Sequence, residues 1–282
     1  MPADGLRICF RFDVDTCRCA RQGLPALLDL AARLELPLTL FFNMGRAVSR
    51  RHALAALAGR RPAAPPAAKL SNLAKLGTAG YLRTLVANPW VGRGAPGVVR
   101  RAAAEGHEVG LHGGRNHGEW MRCALGWGGE RLRAEVRWGL AELARAGAGA
   151  VRSFASPGWV SPPGLPEVLA EEGFALLADR HGLELEGPLA LAGGRLRDWP
   201  TNVLGEPGGV GFIEHQLALG RDPAAAVTAF RAALAGKRRA MLYDHPHLAG
   251  GRGLGLLERL VEAARGLGYR PVTLAGLEEA ER

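Results

Sequence analysis

The sequence predicts an α/β protein built on parallel strands, either a barrel or an open doubly wound sheet. Three observations lead there. Short apolar runs alternate with segments of helical periodicity along nearly all of the 282 residues. Several of these runs are continuously apolar, as strands covered on both faces are. Polar residues able to do chemistry stand at the C-terminal ends of the runs, the side on which such folds build their sites. A hydrophobic fraction of 48% supplies a large core, and one domain over residues 1–282 is the expectation.

Residues 6–12 read as a first strand, with Ile8, Phe10 and Phe12 on one face. Residues 24–34 carry helical spacing at Leu24, Leu27, Leu28, Ala31 and Leu34, and Pro25 falls in the first turn, where a missing N–H costs nothing. Residues 38–42 form a short apolar run, a second buried strand. The pattern then breaks over about 47–97, where the prolines of RRPAAPPAAK forbid a continuous helix. This stretch is expected to be a helical insertion or lid, with short helices near 71–76 and 80–86. The alternation resumes with a helix at 98–105, a strand at 108–112 and a helix at 130–145. A strand at 151–155, a helix at 166–172 and a strand at 175–178 follow. The last units are a helix at 223–234, a strand at 240–245, a helix at 254–267 and a strand at 271–274. Repeated β–α units imply right-handed crossovers. No G-x-G-x-x-G stands between a strand and a helix, which counts against a dinucleotide fold.

Composition excludes some classes of function. Lys and Arg number 36 against 27 Asp and Glu, a formal charge of +9. The charges are dispersed, and the densest clusters are Arg50-Arg51, Arg60-Arg61 and Lys237-Arg238-Arg239. None is interleaved with aromatics, so no nucleic-acid partner is expected. Cys17 and Cys19 are too close for a disulfide, and with Cys9 and Cys123 they make no framework, which fits a reducing, cytoplasmic location. No basic segment followed by an apolar one opens the chain, and no run of about eighteen apolar residues occurs that would span a membrane.

The residues that carry chemistry cluster at strand ends. Asp13 and Asp15 close the first strand two residues apart, on one face, where paired carboxylates repel unless a cation or a proton intervenes. His112 ends the strand after the insertion and His117 follows five residues later. That spacing leaves them roughly 140° apart on a helix, so a glycine-rich loop (Gly113, Gly114, Gly118) must bring them together. Two histidines and a carboxylate with open positions are a common catalytic metal set. His245 and His247, separated by Pro246, are each a candidate further ligand, a general acid or a plain surface residue. Trp159 and Trp199 would stack on a sugar face or simply fill the core, and Asp198 stands before Trp199 at a turn.

These residues resemble the motifs of the polysaccharide deacetylases, carbohydrate esterases related to the nodulation chitooligosaccharide deacetylase. Phe12-Asp13-Val14-Asp15-Thr16 resembles the first motif, with a catalytic base and a metal ligand. His112 to His117 occupies the place of the metal-binding histidines, and Leu242-Tyr243-Asp244-His245 fits the motif carrying a catalytic histidine. Within the family the likeness is greatest to a branch that deformylates a formamido sugar carried on a polyprenyl phosphate. It rests on LRICFRFDVDTCRCARQGLPALLDL at 6–30, FFNMGR at 41–46 and HEVGLHGGRNHGEW at 107–120. Two departures stand out. Asn116 holds the usual position of the second histidine, and Ala155 stands where an arginine usually supports the base, a lack that the deformylating branch shares and that points toward it.

The resemblance implies a distorted (β/α) barrel of fewer than eight strands and a hydrolase that removes a formyl or acetyl group from an amino sugar. It implies one divalent ion held by Asp15, His112 and His117, zinc foremost among zinc, manganese, cobalt and nickel. Asp13 would be the base, His245 the acid, and Asp198 the residue that orients His245. Trp159, Trp199, Arg46 and His247 would bind substrate. A polyprenyl-phosphate-linked substrate would bring the protein to the inner membrane surface through the cationic 50–61 stretch. The competing readings are hydrolysis of a non-sugar C–N bond, as in a cyclic imide or ureide, and a catalytically degenerate carbohydrate-binding protein.

Overall fold

A computed structural model describes residues 5–52, 86–206 and 209–281. The first β–α–β passage runs through β1 (Arg7–Val14), α1 (Leu24–Arg33) and β2 (Thr39–Phe42). Beyond the insertion come α2 (Pro96–Ala104), β3 (Glu108–His112), α3 (His117–Cys123), α4 (Gly129–Ala146) and β4 (Ser153–Ala155). Then follow α5 (Leu165–Glu171), β5 (Leu176–Leu177), β6 (Leu189–Leu191) and β7 (Leu196–Asp198). The chain ends with α6 (Phe212–Ala218), α7 (Pro223–Leu234), β8 (Arg239–Asp244), α8 (Pro246–Ala249), α9 (Leu254–Gly266), β9 (Arg270–Val272) and α10 (Leu274–Glu279).

The strands pair in the order β6-β7-β5-β4-β3-β2-β1-β8, all parallel except β6 against β7. One edge of β1 carries β8 along residues 7–12, while β2 and β9 share the other. The remaining gap is closed by single-residue bridges. Thr201 N donates to Arg180 O at 2.9 Å, Val203 N to Met241 O at 3.0 Å and Tyr243 N to Val203 O at 3.1 Å. The result is the distorted α/β barrel expected from the sequence, but its sheet has nine strands among the described residues rather than fewer than eight.

Alternation along β1 builds the two cores. Ile8, Phe10, Phe12 and Val14 point outward into the layer packed by the helices, each buried side chain stabilising the fold by about 1.5–3 kcal/mol. Cys9, Arg11 and Asp13 point inward. Cys9 joins Phe41, Ala155, Ala178, Trp199 and Met241 in a smaller inner cluster. The bottom of the barrel is plugged by α10, whose Leu274 and Leu277 enter that cluster. Leu274 N donates to Thr39 Oγ1 and Ala275 N to Glu108 Oε2, both at 2.9 Å. The strand expected at 271–274 therefore stops at Val272, because the Thr273 side chain caps α10 at Gly276 N.

Of the insertion expected over 47–97, residues 53–85 lie outside the described residues, and with them Arg60-Arg61 and the short helices expected near 71–76 and 80–86. The Lys237-Arg238-Arg239 cluster is not a basic surface patch. Arg239 is buried and donates to the carbonyls of Gly5 and Ala280, tying both ends of the chain to β8. All four cysteines are free. Among the described residues no helix is long and apolar enough to cross a membrane.

Candidate active site

The C-terminal ends of β1, β3 and β8 bring five of the expected residues together. Asp15 leaves β1, His112 ends β3 and His117 opens α3. Asp15 Oδ1 lies 3.1 Å from His112 Nε2 and 3.4 Å from His117 Nε2. Asp13, buried, has Oδ2 3.8 Å from His112 Nε2. From the other side His245 Nε2 stands 3.1 Å from Asp15 Oδ2.

His117 reaches the site from a helix rather than from the loop the spacing suggested. The loop ends at Asn116, whose Oδ1 accepts Glu119 N at 2.9 Å as the N-cap of α3 and whose Nδ2 donates to Val48 O at 3.2 Å. His117 is thus the first helical residue. The turn before it is held by Glu135 of α4, which accepts Arg115 N at 2.7 Å. Gly114 has no room for a side chain, since a Cβ would stand 2.3 Å from Glu135 Oε2, and Gly113 turns with φ +75°.

The fit of this cluster to a cation is testable on its own atoms. Donor atoms of Asp15, His112 and His117 lie within 4.8 Å of one another. Asp15 Oδ1 and His117 Nε2 are buried and make no hydrogen bond, a costly state that a cation would relieve. His112 Nδ1 faces Ala155 O at 2.8 Å, which fixes a proton on Nδ1 and leaves the Nε2 lone pair for the cluster. Burial alone would raise the Asp15 pKa. The nearby imidazoles of His117, His245 and His112 outweigh it and hold the group well below the usual carboxylate range. One carboxylate and two imidazoles suit a divalent ion such as zinc.

Arg11, which no motif marks, is the main partner of Asp13. It is fully buried, with Nε donating to Asp13 Oδ1 at 3.0 Å and Nη2 to Oδ2 at 2.9 Å. Its signal in the sequence is faint: an arginine on the inward face of a buried strand, two residues before an acid. Glu214 is a second such residue. It comes from α6, its Oε2 lies 3.7 Å from His245 Nδ1, and Asp244 Oδ1 accepts the His245 N–H at 2.7 Å. Tyr243 Oη lies 3.1 Å from His245 Nε2. Glu214 leaves no trace in the sequence, because its partner is brought to it only by the fold.

Other expected residues sit elsewhere. Asp198 does not orient His245. Its Oδ1 accepts the N–H groups of Asp179 and Arg180 at 3.0 and 3.4 Å, and Glu214 faces His245 instead. Trp199 is buried in the inner cluster and donates to Glu278 Oε2 at 2.9 Å, so it is core. His247 lies behind His245, with Nδ1 3.4 Å from Cys19 Sγ. The Arg46 guanidinium covers Trp90 at 4.3 Å and bonds Asn88 O, while its backbone carbonyl receives His117 N at 2.9 Å. Trp159 does stand at the site, half-buried, 4.6 Å from the Arg11 guanidinium and 5.0 Å from the Tyr243 ring. Its φ of +63° follows Gly158 at +62°, a strained turn of the kind functional sites retain.

No family model matches the chain. A protein of Shewanella sediminis (strain HAW-EB3), described as a probable 4-deoxy-4-formamido-L-arabinose-phosphoundecaprenol deformylase, is 29% identical over 178 residues. The match covers 62% of this chain and 57% of that protein, less than two thirds of its length. Among solved structures, one from Mycobacterium smegmatis described as a polysaccharide deacetylase superimposes with a TM-score of 0.64 at 19% identity, covering 99% of this chain and 91% of the other. A Puue allantoinase superimposes with a TM-score of 0.65 at 13% identity, again over 99% and 91%. The fold is that of the polysaccharide deacetylases, and the resemblance read from the sequence is borne out by these relatives.

Proposed function

We propose that this chain, folded as the polysaccharide deacetylases are, is a metal-dependent hydrolase that removes a small N-acyl group from an amino sugar. The observation that supports it most is the convergence of Asp15, His112 and His117, with Asp13 on one side and His245 on the other. A divalent ion held by those three residues would polarise an acyl oxygen and acidify water. Asp13, held in the fork of Arg11, takes the proton of the attacking water. His245 keeps Nδ1 toward Glu214 and presents Nε2 to the site, where it hands a proton to the departing amine. The Tyr243 hydroxyl, 3.1 Å from His245 Nε2, and the Trp159 ring packed edge-on against Tyr243 wall the side of the site nearest His245. The name of the Shewanella relative favours formyl and a polyprenyl-phosphate-linked sugar. A location at the inner face of a membrane follows from that substrate.

The test has two parts. Elemental analysis of wild type and His117→Ala, purified without added metal, should give about one divalent ion per chain in the first and a loss in the second. Release of formate and acetate is then assayed on soluble and lipid-linked N-acyl amino sugars, with allantoin as a cyclic ureide. Turnover of allantoin alone would move the protein to the non-sugar reading. A wild type that takes up no zinc, manganese, cobalt or nickel and releases no acid would leave a carbohydrate-binding protein.

A further inference from the structure

We infer that Arg11 is the positioning residue of Asp13, aiming its carboxylate at the metal cluster from within β1 itself. The inference rests on the reading of Asp13 as the base. Arg11 and Asp13 lie two residues apart on the inward face of one strand, so the pair is built into the backbone of β1. The guanidinium is fixed in three directions. Nε and Nη2 take the two oxygens of Asp13 at 3.0 and 2.9 Å, and Nη1 donates to Ala178 O at 2.5 Å and Thr201 Oγ1 at 2.9 Å. Phe41, Trp159 and Tyr243 surround it at 5.0, 4.6 and 5.2 Å from their ring centres. A planar fork so held dictates the plane of the carboxylate it binds.

The fork approaches Asp13 from one side, while Oδ2 stands 3.8 Å from His112 Nε2 on the other. Oδ2 therefore gives one lone pair to arginine and stands within reach of the cluster, while Oδ1 is held by Arg11 Nε. Ala155, where the family resemblance expects the supporting arginine, belongs to the inner cluster with Phe41 and Ala178, against which Arg11 rests. Ala155 offers no donor from β4, and in this chain the fork that holds the base comes from Arg11 of β1.

The experiment compares metal-loaded Arg11→Met and Arg11→Lys with wild type by crystal structure, metal content and steady-state kinetics. Asp13 should leave its present plane in both variants, because methionine has no donor and lysine has no fork. With it kcat should fall about 100-fold, the scale of a misplaced catalytic group, while KM and metal content stay within about twofold. An Asp13 carboxylate that keeps its orientation in both variants overturns the inference. So does a lysine variant with wild-type kcat, since charge alone would then suffice. Should Arg11→Met fail to fold, Arg11→Lys and Arg11→Met/Asp13→Asn separate loss of aim from an uncompensated buried charge. If the wild type releases no acyl group from any sugar, the functional reading fails, and the orientation of Asp13 still decides this point.

Discussion

Asn116 stands where the resemblance expects a metal-binding histidine, and its side chain is used differently. It caps α3 and so puts His117 within 3.4 Å of Asp15 Oδ1. Replacing the cap with alanine should cost about 1 kcal/mol of stability and weaken metal binding without abolishing it. Asn116→Asp, which keeps the cap, should retain most of both. Thermal unfolding and metal titration read the two effects. Asp13→Asn should lower turnover by about 10²–10⁴-fold, the range for loss of a general base, yet leave metal content unchanged. His245→Ala should slow chemistry far more than binding; if it loses metal instead, His245 is a ligand. The capping signal is present in the sequence, since Asn116 followed three residues later by Glu119 is the pattern of a capping box. The family spacing, by placing a histidine at that position, hides it.

Elements hold these side chains in place from a distance. Glu135, in the second turn of α4, receives Arg115 N and pairs with the Arg115 guanidinium at 3.1 Å, pinning the turn between β3 and α3. Glu135→Ala would strand a partly buried N–H at a cost of about 1–3 kcal/mol. It should also loosen metal binding by about 10-fold, the lower end for residues that orient ligands. Glu135→Gln, which can still accept from Arg115 N, should lose much less; equal losses in both would mean the charge matters and the hydrogen bond does not. The strands and long helices were legible because their periodicity is local. β3 matches its expected limits, β8 is shifted by one residue at both ends and α9 stops one residue early. Arg11 and Glu214 were not legible, because Arg11 finds Ala178 and Thr201 across 167 and 190 residues and Glu214 finds His245 across a helix and a strand. β6 and β7, three residues each, were too short to show a period.

At the scale of the whole barrel, closing strands around a cluster of acids has a pH signature. Burial, aided by the repulsion of Asp179, pushes Asp198 from the ordinary 3.8 to about 6. Burial also pushes Asp244 up to about 6 and raises Asp179 and Glu108. A carboxyl raised in the folded state contributes stability that is fully present below its unfolded value and is lost as pH rises through its folded value. The metal-free protein should therefore lose stability from about pH 4 to about pH 6, against the trend of paired acids. Asp15, held low by its imidazoles, acts in the opposite sense and only in stronger acid. Asp198 isolates one part of the effect because its Oδ1 alone accepts the N–H groups of Asp179 and Arg180. Asp198→Asn keeps that acceptor and removes the charge. Its unfolding free energy should fall less steeply than that of wild type between about pH 4 and 7. At pH 7 it should exceed wild type by at most about 2 kcal/mol, the linkage value of a shift this size discounted for relaxation. Chemical denaturation across that range decides it. A variant with the same slope as wild type would show that the Asp198 carboxylate is compensated inside the barrel, and that the pH dependence lies with Asp244 or Glu108.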